Sequence, residues 1–218
     1  MDLIKNITLF GFPIMIKKVD KKSYDKESII STIEKNFKLN KERNNWDTES
    51  ILHHAYNDFS NPKYHYVDFN TLIPIYKETL TSMLKRMDIV LTFDFDFNIV
   101  NYTCMSNSNF MRSHIHPNAD FTAVHYIQFD SKNHTSTIFE NILPHVEYMD
   151  SVRPKLINIL SPKHSSNSWA QKEWILDIEE DDFCFCPSFL KHRINPQTSK
   201  NKNRITIVLN IYLKPAKI

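Results

Sequence analysis

Two histidines separated by one residue, His114 and His116, are the side chains in this sequence best suited to bind a metal ion. Residues i and i+2 of an extended strand point to the same face, so both imidazoles can reach one ion from positions about 6 to 7 Å apart along the backbone. A third ligand must come from elsewhere in the fold. His192 lies 78 residues after His114 and follows a Pro-Ser turn at the end of an alternating, strand-like run. The spacing predicts a site formed by His114, His116 and His192.

The residue types alone leave two questions open. Imidazole binds iron, zinc, copper or nickel, so three histidines do not identify the ion. A histidine taken singly is more often a surface residue or a hydrogen-bonded core residue than a ligand. The metal interpretation therefore depends on the three histidines acting together.

The segments around these histidines occur in an order that resembles a known family. Residues 113–117 (SHIHP) carry the paired histidines, residues 174–192 are similar to the family pattern W-x-I-x-P-x-x-G-D-L-x-x-F-P-S-x-L-x-H, and residues 204–210 (RITIVLN) resemble R-I-S-I-S-F-N. Weaker matches are residues 7–13, 101–103, 122–126 and 138–141. From Tyr102 to Asn210 the chain resembles the small prolyl-hydroxylase-like branch of the iron(II) and 2-oxoglutarate dependent oxygenases, found widely in bacteria and their viruses.

The resemblance implies a set of metal ligands. His114 would be the first iron ligand and His192 the distal one. His116 stands where the wider superfamily has the Asp or Glu of the two-histidine, one-carboxylate triad. A neutral imidazole at that position leaves the iron(II) site one charge more positive. Asp120, four residues further on, is the alternative carboxylate ligand if the chain bends after Pro117, and we favour His116.

The resemblance also implies the residues that bind the co-substrate. 2-Oxoglutarate is a dianion, and Arg supplies the planar, two-pronged cation that its far carboxylate needs. Arg204 lies twelve residues after His192, about the spacing that the family uses, and strand parity puts Thr206 on the same face. Tyr102 and Tyr126 match positions whose phenols hydrogen-bond the co-substrate, although both residue types are also common in a barrel core.

We therefore predict an iron(II)- and 2-oxoglutarate-dependent dioxygenase that hydroxylates a protein or peptide side chain or a small molecule, with succinate and carbon dioxide as co-products. Prolyl hydroxylation is the family-level analogy, and ascorbate is expected as an accessory reductant. Two alternatives remain at this point. One is a jelly-roll binding or structural protein without turnover, and the other is a three-histidine, cupin-like dioxygenase that does not use 2-oxoglutarate.

Composition excludes several other classes of protein. With 218 residues, 41% of them hydrophobic, the chain can bury a sizeable core, which argues against disorder. A net charge of +2 gives little attraction to nucleic acid. The apolar stretch 7–16 is too short to span a bilayer, so we expect no membrane partner and a cytoplasmic protein, in the host cytoplasm if the chain is viral. Cys104, Cys184 and Cys186 show no disulfide framework, and we expect Cys184 and Cys186 to pack as core residues.

Hydrophobic periodicity predicts a mainly β fold with flanking helices, a double-stranded β-helix or jelly roll. A single oxygenase domain is expected over 1–218, with a strand and supporting helices in 1–88, a jelly-roll core in 89–218 and an insertion near 144–173. Helical stripes occupy 28–37 and 68–87, and a short helix is expected from Asp47, with His53 and His54 partly exposed. Short alternating strands follow from residue 89. Because the chain has one glycine, Asp181 is expected to take the left-handed position in the turn before residues 183–186.

Overall fold

The computed structural model describes residues 4–9, 11–44, 46–47, 49–87, 93–142, 151, 172–199 and 201–215. Within them lie two helices, α1 (Lys26–Leu39) and α2 (Leu72–Arg86). The strands, in chain order, are β1 (Ile4–Leu9), β2 (Phe12–Lys18), β3 (His53–Ala55), β4 (Phe93–Met105), β5 (Met111–His114), β6 (Phe121–Gln128), β7 (Thr137–Glu140), β8 (Glu173–Ile175), β9 (Asp182–Pro187), β10 (His192–Ile194) and β11 (Arg204–Pro215). Neither described helix is long and apolar enough to cross a bilayer.

The strands form two antiparallel sheets. The larger sheet has seven strands in the order β1-β2-β9-β6-β11-β4-β3, and the smaller one has four in the order β5-β10-β7-β8. Neighbouring strands in both sheets are antiparallel, and many are distant in sequence, as in a jelly roll. The predicted mainly β fold with flanking helices is therefore confirmed.

Strand β11 shows how the fold separates its core from its site. Side chains alternate between the two faces of a strand. Ile205, Ile207, Leu209 and Ile211 face one way and join the core cluster that contains the apolar faces of both helices. Arg204, Thr206, Val208 and Asn210 face the other way and line a cavity on the side of the smaller sheet. The helices thus pack on one face of the larger sheet, and the opposite face lines the cavity.

Both long predicted helices are present, and the short one is not. Helix α1 begins after Asp25, whose Oδ1 accepts a hydrogen bond from the Ser28 amide, and Ile29, Ile33 and Phe37 form its buried stripe. The segment from Asp47 instead turns through side-chain bonds, because Asn44 Oδ1 accepts from the amides of Trp46 and Asp47, which competes with helix formation. Strand β3 follows, so the predicted helix at Asp47 is wrong.

The turn that precedes β9 is built without glycine, as predicted. Asp181 has a φ of 69°, in the left-handed region. Its carboxylate accepts hydrogen bonds from the Tyr24 hydroxyl at 2.6 Å and the Lys26 ammonium at 2.7 Å. The strained position is therefore held by bonds to the start of α1.

Two further expectations concern the core and the insertion. Cys184 and Cys186 are buried in a second apolar cluster between the sheets, which confirms that they are core residues. The predicted insertion near 144–173 lies almost entirely outside the described residues.

Candidate metal centre

The two metal motifs meet because β5 and β10 are neighbours in the smaller sheet. His114, the last residue of β5, lies directly opposite His192, the first residue of β10. His116 follows β5, and its backbone amide donates to the Ser188 carbonyl at 2.9 Å, which ties it to the turn before His192. The three side chains each offer a ligand atom, and these atoms lie within 4.8 Å of one another. One ion can therefore contact all three histidines.

Hydrogen bonds prepare the imidazoles to act as ligands. His114 Nδ1 lies 3.0 Å from the Arg112 carbonyl, and His192 Nδ1 lies 2.8 Å from the Leu190 carbonyl. A carbonyl only accepts, so each Nδ1 must carry the proton and each Nε2 keeps a free lone pair. His116 Nε2 is buried and has no partner in the described part of the chain. These nitrogens suit a metal ion that accepts three neutral imidazoles.

Burial keeps the three histidines neutral. Desolvation is the main cause that lowers the pKa of His116 to about 4, and the neighbouring His114 adds to the effect. Desolvation also lowers the pKa of His114 and of the buried His192. Because a metal binds the unprotonated ring, all three side chains are in the ligating form at neutral pH without loss of a proton.

Asp120 is not brought to this cluster. The chain turns after Pro117 through Asn118, whose φ is 66°, and enters β6. Asp120 is exposed there, and its Oδ2 accepts a hydrogen bond from the Leu213 amide at 2.8 Å. Among the described residues, the only group of potential ligands is His114, His116 and His192. The carboxylate of Asp120 thus binds the backbone of β11 and not the metal position.

Arg204 is fully buried and has no carboxylate partner in the described residues. One guanidinium nitrogen, Nη2, lies 3.4 Å from Thr137 Oγ1, Nη1 lies 3.8 Å from the Met105 sulfur, and Nε has no partner. The Tyr126 ring faces the guanidinium carbon at 5.1 Å. A cation in these surroundings is poorly compensated, so the site favours an incoming anion.

The other predicted co-substrate contacts fall into two groups. Thr206 lines the cavity and shares a 2.7 Å hydrogen bond with Thr103, and the Tyr126 hydroxyl bonds to Thr137 at 2.6 Å beside Arg204. Tyr102 faces the helices instead, where its hydroxyl accepts from the Asn36 side chain at 2.8 Å. Tyr102 is therefore not placed at the site, because residues on either side of it in β4 take the cavity face.

A cavity of about 300 Å³ connects the histidines with Arg204. Two lining residues that were not expected there, Trp46 and His54, come from the segment before β4. The Trp46 ring stacks on His54 at 5.5 Å and meets His114 edge-on at 4.8 Å. His53, by contrast, is fully buried on the helix side. No local pattern distinguishes Trp46 and His54, because their position depends on the pairing of β3 with β4.

About half of the chain matches a known protein family. Residues 101–210 match the family described as "Putative 2OG-Fe(II) oxygenase". The matched segment contains the three histidines and Arg204. None of the curated proteins matches the sequence.

Several solved structures resemble the fold. A prolyl hydroxylase from Trichoplax adhaerens, in complex with a hypoxia inducible factor oxygen degradation domain peptide fragment, is 11% identical, with 93% of this chain and 83% of that chain covered and a TM-score of 0.50. A Pseudomonas putida prolyl-4-hydroxylase is 10% identical, with coverages of 87% and 88% and a TM-score of 0.49. A viral collagen prolyl hydroxylase from Paramecium Bursaria Chlorella virus-1 is 13% identical, with coverages of 90% and 94% and a TM-score of 0.48. At such low identity, the likeness to the Trichoplax protein shows a shared fold.

Proposed function

Since this chain belongs to the family of 2-oxoglutarate and iron(II) dependent oxygenases, we propose that it hydroxylates a carbon of a protein or peptide side chain, or of a small molecule. Succinate and carbon dioxide would be the co-products. A peptide-bound prolyl hydroxylase of this fold is known from Trichoplax adhaerens. Proline in a peptide is therefore the first side chain to test.

His114, His116 and His192 would hold the iron. Their ligand atoms converge within 4.8 Å, and burial keeps them unprotonated. When bound, iron(II) together with 2-oxoglutarate supplies the activation of dioxygen needed to hydroxylate a carbon. The protein supplies the ligand positions and a cavity that limits access of water.

The buried, uncompensated guanidinium of Arg204 is the observation that carries the proposal. Its contact Thr137 lies opposite Ile194, and His192 is two residues before Ile194 on β10. Two residues along a strand span about 7 Å, a distance that a five-carbon diacid can bridge. Arg204 would bind the far carboxylate, and Thr206 lies on the same wall. Neither a dioxygenase that does not use 2-oxoglutarate nor a non-catalytic jelly roll requires a cation at this position.

Calorimetry with nickel(II), which does not support turnover, tests the proposal. Wild-type protein is expected to bind nickel(II) and then 2-oxoglutarate. Arg204→Met should retain nickel(II) but weaken 2-oxoglutarate by about 2 to 5 kcal/mol, or at least about thirtyfold, because a buried charge partner is lost.

Arg86→Met, at the exposed end of α2, removes the same charge far from the cavity and serves as the control. Under aerobic conditions with iron(II), 2-oxoglutarate and proline-containing peptides, wild-type protein should form succinate. If 2-oxoglutarate does not bind the nickel(II)-loaded wild-type protein, the proposed function is wrong.

A further inference from the structure

The charge of the cavity differs from that of a site with a carboxylate ligand. Among the described residues that line it, Arg204 is the only one with a permanently charged side chain, and none is an aspartate or glutamate. The position next to His114 that a carboxylate would occupy holds His116. No negative charge of the described protein residues therefore faces the metal position.

The acidic side chains around the site bind other partners. Asp47 pairs with Arg112 at 2.9 Å. Glu140 pairs with Lys191 at 3.3 Å and with Arg193 at 3.2 Å. Asp120 is bonded to the backbone of β11 and exposed. None of these carboxylates lines the cavity.

Binding of the cofactors would leave one positive charge in excess. Iron(II) and the Arg204 guanidinium together carry three positive charges, while 2-oxoglutarate brings two negative ones. Inside a protein, a single charge acts strongly over a few ångströms because screening is weak. The loaded site should therefore prefer one more anion to a neutral group of the same shape.

We propose that the substrate of this site carries a carboxylate close to the carbon that reacts. Such substrates are free carboxylic acids, amino acids or the terminal residue of a peptide, rather than an internal residue of a neutral chain. Asn101 and His54 line the cavity as polar groups that can face the carboxylate. Asn101 is 8% exposed and its side-chain oxygen has no partner, so its amide is free to turn its N–H donors inward. This inference rests on the proposed function, because it presumes that iron(II) and 2-oxoglutarate bind.

A pair of probes that differ only in charge tests the inference. Protein loaded with nickel(II) and 2-oxoglutarate is titrated at constant ionic strength with N-acetyl-L-proline and with N-acetyl-L-prolinamide. The anionic probe should bind about tenfold or more tightly than the amide. His116→Asp, which restores the missing negative charge, should abolish that preference while nickel(II) still binds.

The results that would contradict this inference differ from those that would contradict the proposed function. Equal affinity for the two probes, binding of neither, or a preference that survives in His116→Asp would overturn the inference. A chloride titration in the same buffer identifies a site for free halide, and chloride binding without discrimination between the probes also overturns it. Failure of wild-type protein to bind nickel(II) or 2-oxoglutarate would instead contradict the proposed function.

Discussion

Arg204 is suited to bind an anion in the site, but its buried charge should lower the stability of the ligand-free protein. Its guanidinium is fully buried, and burial lowers its pKa, which reflects the cost of keeping the charge away from water. In the absence of an anion, this charge has a hydroxyl, a sulfur and the rings of Tyr126 and Phe129 as neighbours, and no carboxylate among the described residues. The protein without ligands should therefore be less stable than one with an apolar residue at position 204.

We expect Arg204→Met to raise the free energy of unfolding of the ligand-free protein by about 1 to 3 kcal/mol, because a buried, uncompensated charge is replaced by an apolar side chain. Urea denaturation without metal and 2-oxoglutarate measures the change. Arg204→Lys keeps the charge and should show no comparable gain. A loss of stability in Arg204→Met would mean that the guanidinium is compensated in the free protein.

At the scale of elements, the segment before β3 is fastened to the strand that carries the first metal ligand. Asp47, with its side chain 2% exposed, bonds to the Arg112 guanidinium on β5 and to the Ser50 hydroxyl. The backbones of Ile51 and Phe110 exchange hydrogen bonds nearby. These contacts place Trp46 against His114, although the two residues belong to different halves of the chain.

Trp46 should therefore report metal binding through its fluorescence. With Trp169 and Trp174 replaced by Phe, so that Trp46 is the sole tryptophan, cobalt(II) should quench the emission strongly, because a paramagnetic ion at the three histidines lies close to the indole. Zinc(II) should bind without comparable quenching.

Asp47→Ala in the same background should reduce the quenching by cobalt(II) while changing its affinity less than about tenfold, since a partly exposed ion pair holds the segment and not the ligands. The matched comparison is Glu49→Ala, which removes an exposed partner of Arg112 and should have a smaller effect. Unchanged quenching in Asp47→Ala would show that the segment is held without this ion pair.

At the scale of the whole molecule, the turn before β9 joins the helix layer to the larger sheet. Glu180 accepts hydrogen bonds from Lys26 on α1, from Lys202 just before β11 and from the Phe129 amide just after β6. Burial opposes ionisation of Glu180, but these bonds outweigh it and lower its pKa to about 2. The ionised carboxylate thus stabilises contacts among three parts of the fold.

The depressed pKa of Glu180 predicts how stability depends on acid. A carboxyl group whose pKa is lower in the folded state stabilises the fold above its unfolded value near 4.5, and this contribution disappears as pH falls towards about 2. Glu180→Gln should lower stability at pH 7 by about 0.5 to 1 kcal/mol, a small value because the group is partly exposed. Its urea midpoint should then fall less steeply than that of wild type between pH 4.5 and 2. Glu42→Gln, at an exposed position, is the control. If the urea midpoints of Glu180→Gln and wild type fall in parallel with pH, ionised Glu180 does not stabilise the fold.

Much of the site could be predicted from local sequence, and the predictions that failed have a common cause. The spacing of His114 and His116, the turn before His192 and the strand parity of Arg204 and Thr206 are short-range features of the sequence, and the structure brings these residues to one cavity. Tyr102 was misplaced because a motif match does not set the phase of its strand. In the fold it lies opposite Ile207, which also faces the helices.

The sequence by itself determined which chemistry is available, because residue types and short-range spacing are local properties of the chain. Only the tertiary structure decided the charge balance of the site. It turned Asp120 towards β11, buried Arg204 without a counter-ion among the described residues, and brought Trp46 and His54 from the amino-terminal half to the cavity. Each of these outcomes depends on strand pairing between residues far apart in sequence, which local periodicity does not specify.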